Sequence, residues 1–113
     1  MKKIEAYIRP EKLEDIKEIL DTLNLNGLSI AQVMGCGNQK GWTEFVRGTE
    51  VDYNFLPKIK LEMVVLDEQV EAVVDSVLEK AYTGECGDGK IFIYDISNAI
   101  RIRTGERGPN AIK

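Results

Sequence analysis

Twice in 113 residues a run of alternating apolar and polar side chains is followed at once by an apolar stripe at helical spacing. A chain with that repeated order has few ways to fold. In the first copy, Lys2 to Arg9 puts Ile4, Ala6 and Ile8 on one face of a strand and Lys3, Glu5 and Tyr7 on the other. Pro10 suits the first turn of a helix. Glu11 to Leu25 then carries Leu13, Ile16, Leu20 and Leu23 on one side, with Glu11, Glu14 and Asp15 early, where the helix dipole favours acids. Asn26-Gly27 is the expected stop, with Gly27 in the left-handed conformation. Leu28 to Met34 reads as the next strand. In the second copy, Lys58 to Val65 alternates Ile59, Leu61, Met63 and Val65 against Lys58, Lys60 and Glu62. Asp67 to Tyr82 follows as a helix, with Asp67 as N-cap and a stripe of Val70, Val73, Val74, Val77, Leu78 and Ala81. Ile91 to Ile96 is its closing strand.

Between the copies, Gly35 to about Leu56 keeps no sustained period and holds Gly35, Gly37, Gly41 and Gly48. A loop of about 20 residues that interrupts an otherwise regular domain is read as functional. Ile100 to Arg103 reads as a short extended piece, and Thr104 to Lys113 as a flexible tail or induced-fit loop. The order strand, helix, strand, long loop, strand, helix, strand predicts one α+β domain over residues 1–113, the ferredoxin-like β-α-β-β-α-β sandwich. Two helices on one face of a sheet leave the other face, with Tyr7 and Val64, uncovered, which predicts a homo-oligomer.

Composition removes several functions. The formal net charge of −4 argues against a general nucleic-acid binder. There is no histidine, so any acid–base catalysis would need carboxylates, lysines or thiols with shifted pKa values. Cys36 and Cys86 form no C-x-x-C pair and read as small apolar fillers. No run approaches the roughly 18 apolar residues of a membrane span, and Met1-Lys2-Lys3-Ile4-Glu5 has no signal-peptide character, so a reduced cytoplasmic protein is expected.

Gly84-Glu85-Cys86-Gly87-Asp88-Gly89-Lys90 satisfies part of a phosphate-binding pattern, G-x-x-x-x-G-K. Glycines let backbone N–H groups converge on phosphate oxygens, and lysine supplies the countercharge. Ile91 stands where Ser or Thr would bind magnesium, and a helix precedes the loop where a P-loop needs a strand. The alternative is a helix-to-strand turn that requires glycines. Arg101 and Arg103, alternating on a short strand, would emerge on one face and clamp a polyphosphate with Lys90; otherwise they are solvated arginines. In Gly35-Cys36-Gly37-Asn38-Gln39-Lys40-Gly41 the glycines permit close approach of a ligand, Gln39 offers an oxygen to a hard cation, and Lys40 with Lys58 suits a small carboxylate; the alternative is a turn with solvated lysines. A small phosphoryl-transfer enzyme using Lys90 and Asp88 is disfavoured because no carboxylate is placed as both metal ligand and base. An RNA-binding sheet is disfavoured by the lack of interleaved aromatics.

In order along the chain, Met1-Lys2-Lys3-Ile4, Arg9-Pro10-Glu11-Lys12-Leu13, the Gly35 to Gly41 segment, Thr43-Glu44, Arg47-Gly48, Phe55-Leu56-Pro57-Lys58, Thr83 to Phe92 and Ile100 to Glu106 resemble the PII family of nitrogen-signalling proteins. The resemblance implies a non-enzymatic sensor, a homotrimer with ATP or ADP between subunits. It implies that Gly87, Asp88, Gly89 and Lys90 cradle the phosphates and that Arg101 and Arg103 reach them from the neighbouring subunit. Gly35 and Gly37 would line the cleft, with Gly27, Ser29, Glu62 and Val64 near the base or ribose. Gln39 would ligate magnesium, and Lys58 with the backbone of Gly37 to Gly41, Lys40 included, would take 2-oxoglutarate. It also implies a signalling loop over 37–55, a phosphate-binding loop over 82–90 and a C-terminal loop or tail over 101–113. The signalling loop would select partners: an ammonium transporter at the membrane, whose pore Arg47 would enter, or a transcription regulator or glutamine synthetase, with no direct nucleic acid. A related reading is a PII-like regulator with altered or absent 2-oxoglutarate sensing. The family's Tyr-Arg-Gly-x-Glu-Tyr motif is Val46-Arg47-Gly48-Thr49-Glu50-Val51 here, and Val51 has no hydroxyl to modify. Trp42 and Tyr53 remain as candidate partner contacts on the loop.

Overall fold

The computed structural model describes the backbone of residues 1–36, 42–46, 49–53 and 55–113, and the side chains of 1–35 and 55–113. The chain runs through β1 (Lys2–Ile8), α1 (Leu13–Thr22), β2 (Ser29–Cys36), β3 (Trp42–Val46), β4 (Thr49–Tyr53), β5 (Phe55–Val65), α2 (Val70–Ala81) and β6 (Lys90–Asp95). Four strands form one antiparallel sheet in the order β2-β5-β1-β6. This is the predicted α+β, ferredoxin-like arrangement.

The alternation in β1 and β5 dictates where the core lies. Ile4 sits opposite Met63 and Ile93, and Ala6 opposite Leu61 and Ile91. Paired residues in an antiparallel sheet share a face, so the centre of one face is apolar, with Lys2, Asp95 and Gln32 toward its margins. Ile4, Ala6, Ile8, Ile59, Leu61, Met63 and Val65 are all buried there, beneath Ile16 and Ile19 of α1 and Val70, Val73, Val77 and Ala81 of α2. Leu78, on the predicted α2 stripe, is largely exposed.

Several local expectations are corrected. The first helix starts with a 3₁₀ turn, Pro10–Lys12, and its α-helical part ends at Thr22. The left-handed residue is Asn24, with φ 53°, and not Gly27. The N–H of Leu25 donates to the Leu20 carbonyl at 2.9 Å, and that of Asn24 to the Asp21 carbonyl at 3.4 Å. That pair of bonds is the Schellman closure, which Asn tolerates without glycine's freedom. Within α1 it is Ile19, three positions after Ile16, that is buried, and Leu20 is only partly buried. Asp67 is not the N-cap of the second helix. A 3₁₀ turn, Asp67–Gln69, precedes α2, and the Gln69 side chain accepts the Leu66 N–H at 2.9 Å. Asp67 instead accepts a bond from the Met1 ammonium at 2.8 Å.

The stretch expected to be a loop is partly regular. β2 runs to Cys36 and pairs with β5 as far as Phe55, and β3 pairs with β4 as a separate two-stranded ribbon. Ile100 to Arg103 is not a strand. Ile100 makes an isolated bridge to Arg107, residues 102–104 turn, and Gly108–Ile112 is a 3₁₀ turn. Thr104 to Lys113 therefore folds back as an ordered turn rather than a free tail.

Among the described residues no helix covers the opposite face of the sheet. It is centred on Glu5, only 7% exposed. The Tyr7 hydroxyl donates to Glu5 at 2.8 Å, and Lys3 lies 3.7 Å from both Glu5 and Glu62. The bond from Tyr7 is the main reason the Glu5 carboxyl is held below its usual pKa.

Burial makes the cost of truncation unequal along the apolar pattern. Leu61→Ala, at a fully buried site, should lose about 2–5 kcal/mol. Leu78→Ala, at a largely exposed site, should lose less than about 1 kcal/mol. Urea unfolding of the two variants measures the contrast.

Candidate functional site

After the last turn of α2 the chain becomes extended at Tyr82, reverses through residues 83–89 and enters β6 at Lys90. Gly84, Gly87 and Gly89 carry φ of 91°, 100° and 104°, values that L side chains rarely adopt. At Gly89 space is also decisive: a Cβ there would lie 1.6 Å from the Tyr7 carbonyl oxygen. The loop is thus seated directly on the end of β1.

Asp88, between the last two glycines, turns its carboxylate inward. It accepts the N–H of Thr83 at 2.8 Å, the N–H of Gly84 at 2.9 Å and the Thr83 hydroxyl. Arg9, at the end of β1, donates through Nε to the same carboxylate at 3.0 Å and through its terminal nitrogen to the Cys86 carbonyl at 2.8 Å. These bonds, led by the Thr83 hydroxyl, hold the Asp88 carboxyl far below the ordinary carboxylate range. Lys58 of β5 donates its ammonium to the Gly87 carbonyl. Burial, reinforced by the charge of Arg9, pushes the Lys58 pKa down. The Lys58 side chain also occupies the space beside Gly35, where a Cβ would meet it at 2.9 Å. Gly35, Lys58 and Gly87, distant in sequence, are therefore brought together.

The resulting wall suits an anion. In a trans peptide the C=O and the following N–H point in opposite directions. With the Cys86 and Gly87 carbonyls drawn toward Arg9 and Lys58, the N–H groups of Gly87 and Asp88 face the other way. Lys90 stands exposed where the loop enters β6. Gly89 and Lys90 border a cleft of about 340 Å³ whose other walls include Tyr7, Leu78, Tyr82 and Ile93. A second cleft, of about 460 Å³, lies beside Lys58, Pro10, Met34 and Pro57.

The other sequence-predicted residues distribute as follows. Ser29 and Glu62 are cross-strand partners on the uncovered face, Val64 lies on that face two positions along, and Gly27 precedes β2. Arg101 and Arg103 lie in the C-terminal turn rather than on one strand face, and neither borders the cleft of Lys90. Arg101 pairs with Glu106 at 2.8 Å and donates to the carbonyls of Asn110, Ala111 and Lys113. Gly37, Gln39, Lys40, Gly41 and Arg47 lie outside the described residues, as do the side chains of Trp42 and Tyr53. Among the described residues no three His, Cys, Asp or Glu side chains are grouped to hold a metal. Sequence reasoning missed Arg9 and Thr83. Nothing local marks Arg9, because its partners lie 77 and 79 positions away.

The sign of the Asp88 shift fixes a pH dependence. A depressed carboxyl contributes stability that is present above its unfolded pKa of about 3.9 and fades as pH falls below that. The melting-temperature gap between the parent protein and Asp88→Asn should be constant from pH 8 to about pH 5 and should narrow below about pH 4, which thermal unfolding across pH measures.

The sequence can be set beside known proteins. The family description "Nitrogen regulatory protein P-II" matches residues 1–106. Nitrogen regulatory protein P-II of Pasteurella multocida is 52% identical over 112 residues, 99% of this chain and 100% of that protein. Its counterpart in Haemophilus influenzae is 53% identical with the same coverage, and nitrogen regulatory protein P-II 1 of Escherichia coli K12 is 49% identical, again with the same coverage. Among the described residues no helix is long and apolar enough to cross a membrane. With the match running from Met1 through the glycine-rich loop after α2 to Glu106, and with the ferredoxin-like sheet in place, the chain belongs to the P-II family of nitrogen regulatory proteins.

Proposed function

We propose that this nitrogen regulatory protein, a signalling regulator and not an enzyme, reports cellular energy and nitrogen status by binding ATP or ADP at the Thr83 to Lys90 loop. The reading rests on one observation above the others: two loop carbonyls are drawn back by Arg9 and Lys58, so that backbone N–H groups and the exposed Lys90 are left to face an anion. The nucleotide sits between subunits of a homotrimer. Arg101 and Arg103 come to its phosphates from the neighbouring subunit, exchanging the Glu106 and carbonyl partners of Arg101 for phosphate oxygens. Glu62, Val64, Ser29, Gly27, Gly35 and Gly37 surround the base and ribose.

In the same reading, 2-oxoglutarate joins only the magnesium-ATP form. Gln39 supplies an oxygen to the cation, and Lys58, Lys40 and the backbone near Gly41 take the carboxylates. Lys58 already touches the Gly87 carbonyl, so a carboxylate that draws it away alters the phosphate loop directly. The segment carrying Trp42, Arg47 and Tyr53 passes the ligand state to partners. These include an ammonium transporter, to which the cytoplasmic protein is reversibly recruited, and a transcription regulator or glutamine synthetase.

Calorimetry should show ATP and ADP binding with negligible turnover, and Lys90→Ala should weaken ATP by about 10- to 100-fold. ATP hydrolysis in excess of stoichiometry that Lys90→Ala abolishes would overturn the reading. Binding of 2-oxoglutarate should require both magnesium and ATP; equal affinity with ADP would contradict the cation bridge. Small-angle scattering should report a trimer, and a clean monomer would remove the intersubunit site.

A further inference from the structure

The Asp88 carboxylate lies in the loop that holds the phosphates, yet it is poorly suited to touching them. Four donors meet its two oxygens: the N–H groups of Thr83 and Gly84, the Thr83 hydroxyl and Arg9 Nε. A carboxylate has about four lone-pair directions, so this one has no acceptor capacity left for a cation or a ribose hydroxyl. It would also repel a phosphate approaching directly. The flanking glycines take positive φ, and although Asp88 also borders the cleft of Gly89 and Lys90, both its oxygens are committed to Thr83, Gly84 and Arg9; that side of the loop is its back, and the side toward which the Gly87 and Asp88 N–H groups point is its front. Arg9 then ties the back of the loop at two points, Asp88 and the Cys86 carbonyl. Both side chains are mostly buried, at 17% exposure for Arg9 and 23% for Asp88, so water competes weakly for the pair.

We propose that Arg9, Thr83 and Asp88 are positioning residues that fix the peptide planes of residues 86–88, and that they set the affinity for the polyphosphate without contacting it. The inference rests on the reading of this loop as the phosphate site. The division of labour is definite. Thr83 and Asp88 close the loop upon itself, and Arg9 sets its orientation against β1. The front of the loop is then preorganised, and the phosphates are not required to order it on binding. Loss of one charge-assisted bond at the back should therefore appear as weaker ATP binding, with little change for a ligand that has no phosphate.

The test compares the full-length parent with Thr83→Val, Thr83→Ser, Arg9→Gln and Asp88→Asn, each checked for folding by circular dichroism. ATP and adenosine affinities are read by calorimetry, and amide hydrogen exchange at Gly87 and Asp88 is read without ligand. Thr83→Val, Arg9→Gln and Asp88→Asn should each weaken ATP about tenfold or more and accelerate exchange at both amides, while adenosine binding stays within about twofold. Thr83→Ser, which keeps the hydroxyl, should restore parental values. If Asp88→Asn fails to fold, Thr83→Val and Arg9→Gln carry the test. Unchanged ATP affinity in folded Thr83→Val and Arg9→Gln overturns the inference. Equal loss of ATP and adenosine also overturns it, because the effect is then general and not phosphate positioning. If the parent binds no nucleotide, the phosphate reading fails, and the hydrogen-exchange arm still decides whether these three residues fix the loop.

Discussion

The carbonyl oxygen of Tyr7 and the α-carbon of Gly89 approach so closely that no side chain fits between them, since a Cβ would fall 1.6 Å from the oxygen. Much of the site depends on this contact. Tyr7 pairs with Lys60 of β5 on one side and with Lys90 of β6 on the other. The end of β1 is therefore a fixed floor, and the loop that follows α2 is laid directly on it. From that floor Arg9 reaches up to Asp88 and Cys86, and Lys58 reaches across to Gly87. The loop has three glycines at positive φ, a composition that alone would leave the chain with many conformations. The cost of ordering it is offset by bonds to a rigid sheet rather than by the loop's own packing.

The two sheet faces divide the labour. The apolar face closes under two helices and supplies the core. The other keeps a buried carboxylate, Glu5, among Tyr7, Lys3 and Tyr94, with Lys60 paired to Glu62 close by. A charged group so well satisfied tolerates being covered, because its partners come with it. A partner surface can therefore close over this face without leaving the Glu5 charge unpaired.

What the sequence disclosed follows from period. Alternation in β1 and β5 is strict because one face is dry, and so Ile4, Ala6, Leu61 and Met63 were readable as core. The stop of α1 was misread because both Asn24 and Gly27 accept a left-handed turn; the carbonyls of Leu20 and Asp21 decide between them. Arg101 and Arg103 mimicked a strand because two positions are too few to separate alternation from chance. The site was legible in its glycines, which obey local rules, and in Lys58 and Lys90 as cations. Arg9 was not, because its role exists only after residues nearly eighty positions apart have met.

Strands β2 and β5 pair without a break from Ser29 opposite Glu62 to Cys36 opposite Phe55. At about 3.3 Å per residue, such a ladder is roughly 23 Å long. Mechanically it is a lever arm. Its hydrogen-bonded rungs resist sliding, whereas an antiparallel ribbon yields more readily to twist. Lys58 projects from this ladder opposite Val33, and its ammonium holds the Gly87 carbonyl of the glycine-rich loop. A small displacement of that ammonium is a torque applied partway along the arm, and a lever delivers its largest excursion at the end farthest from the fulcrum.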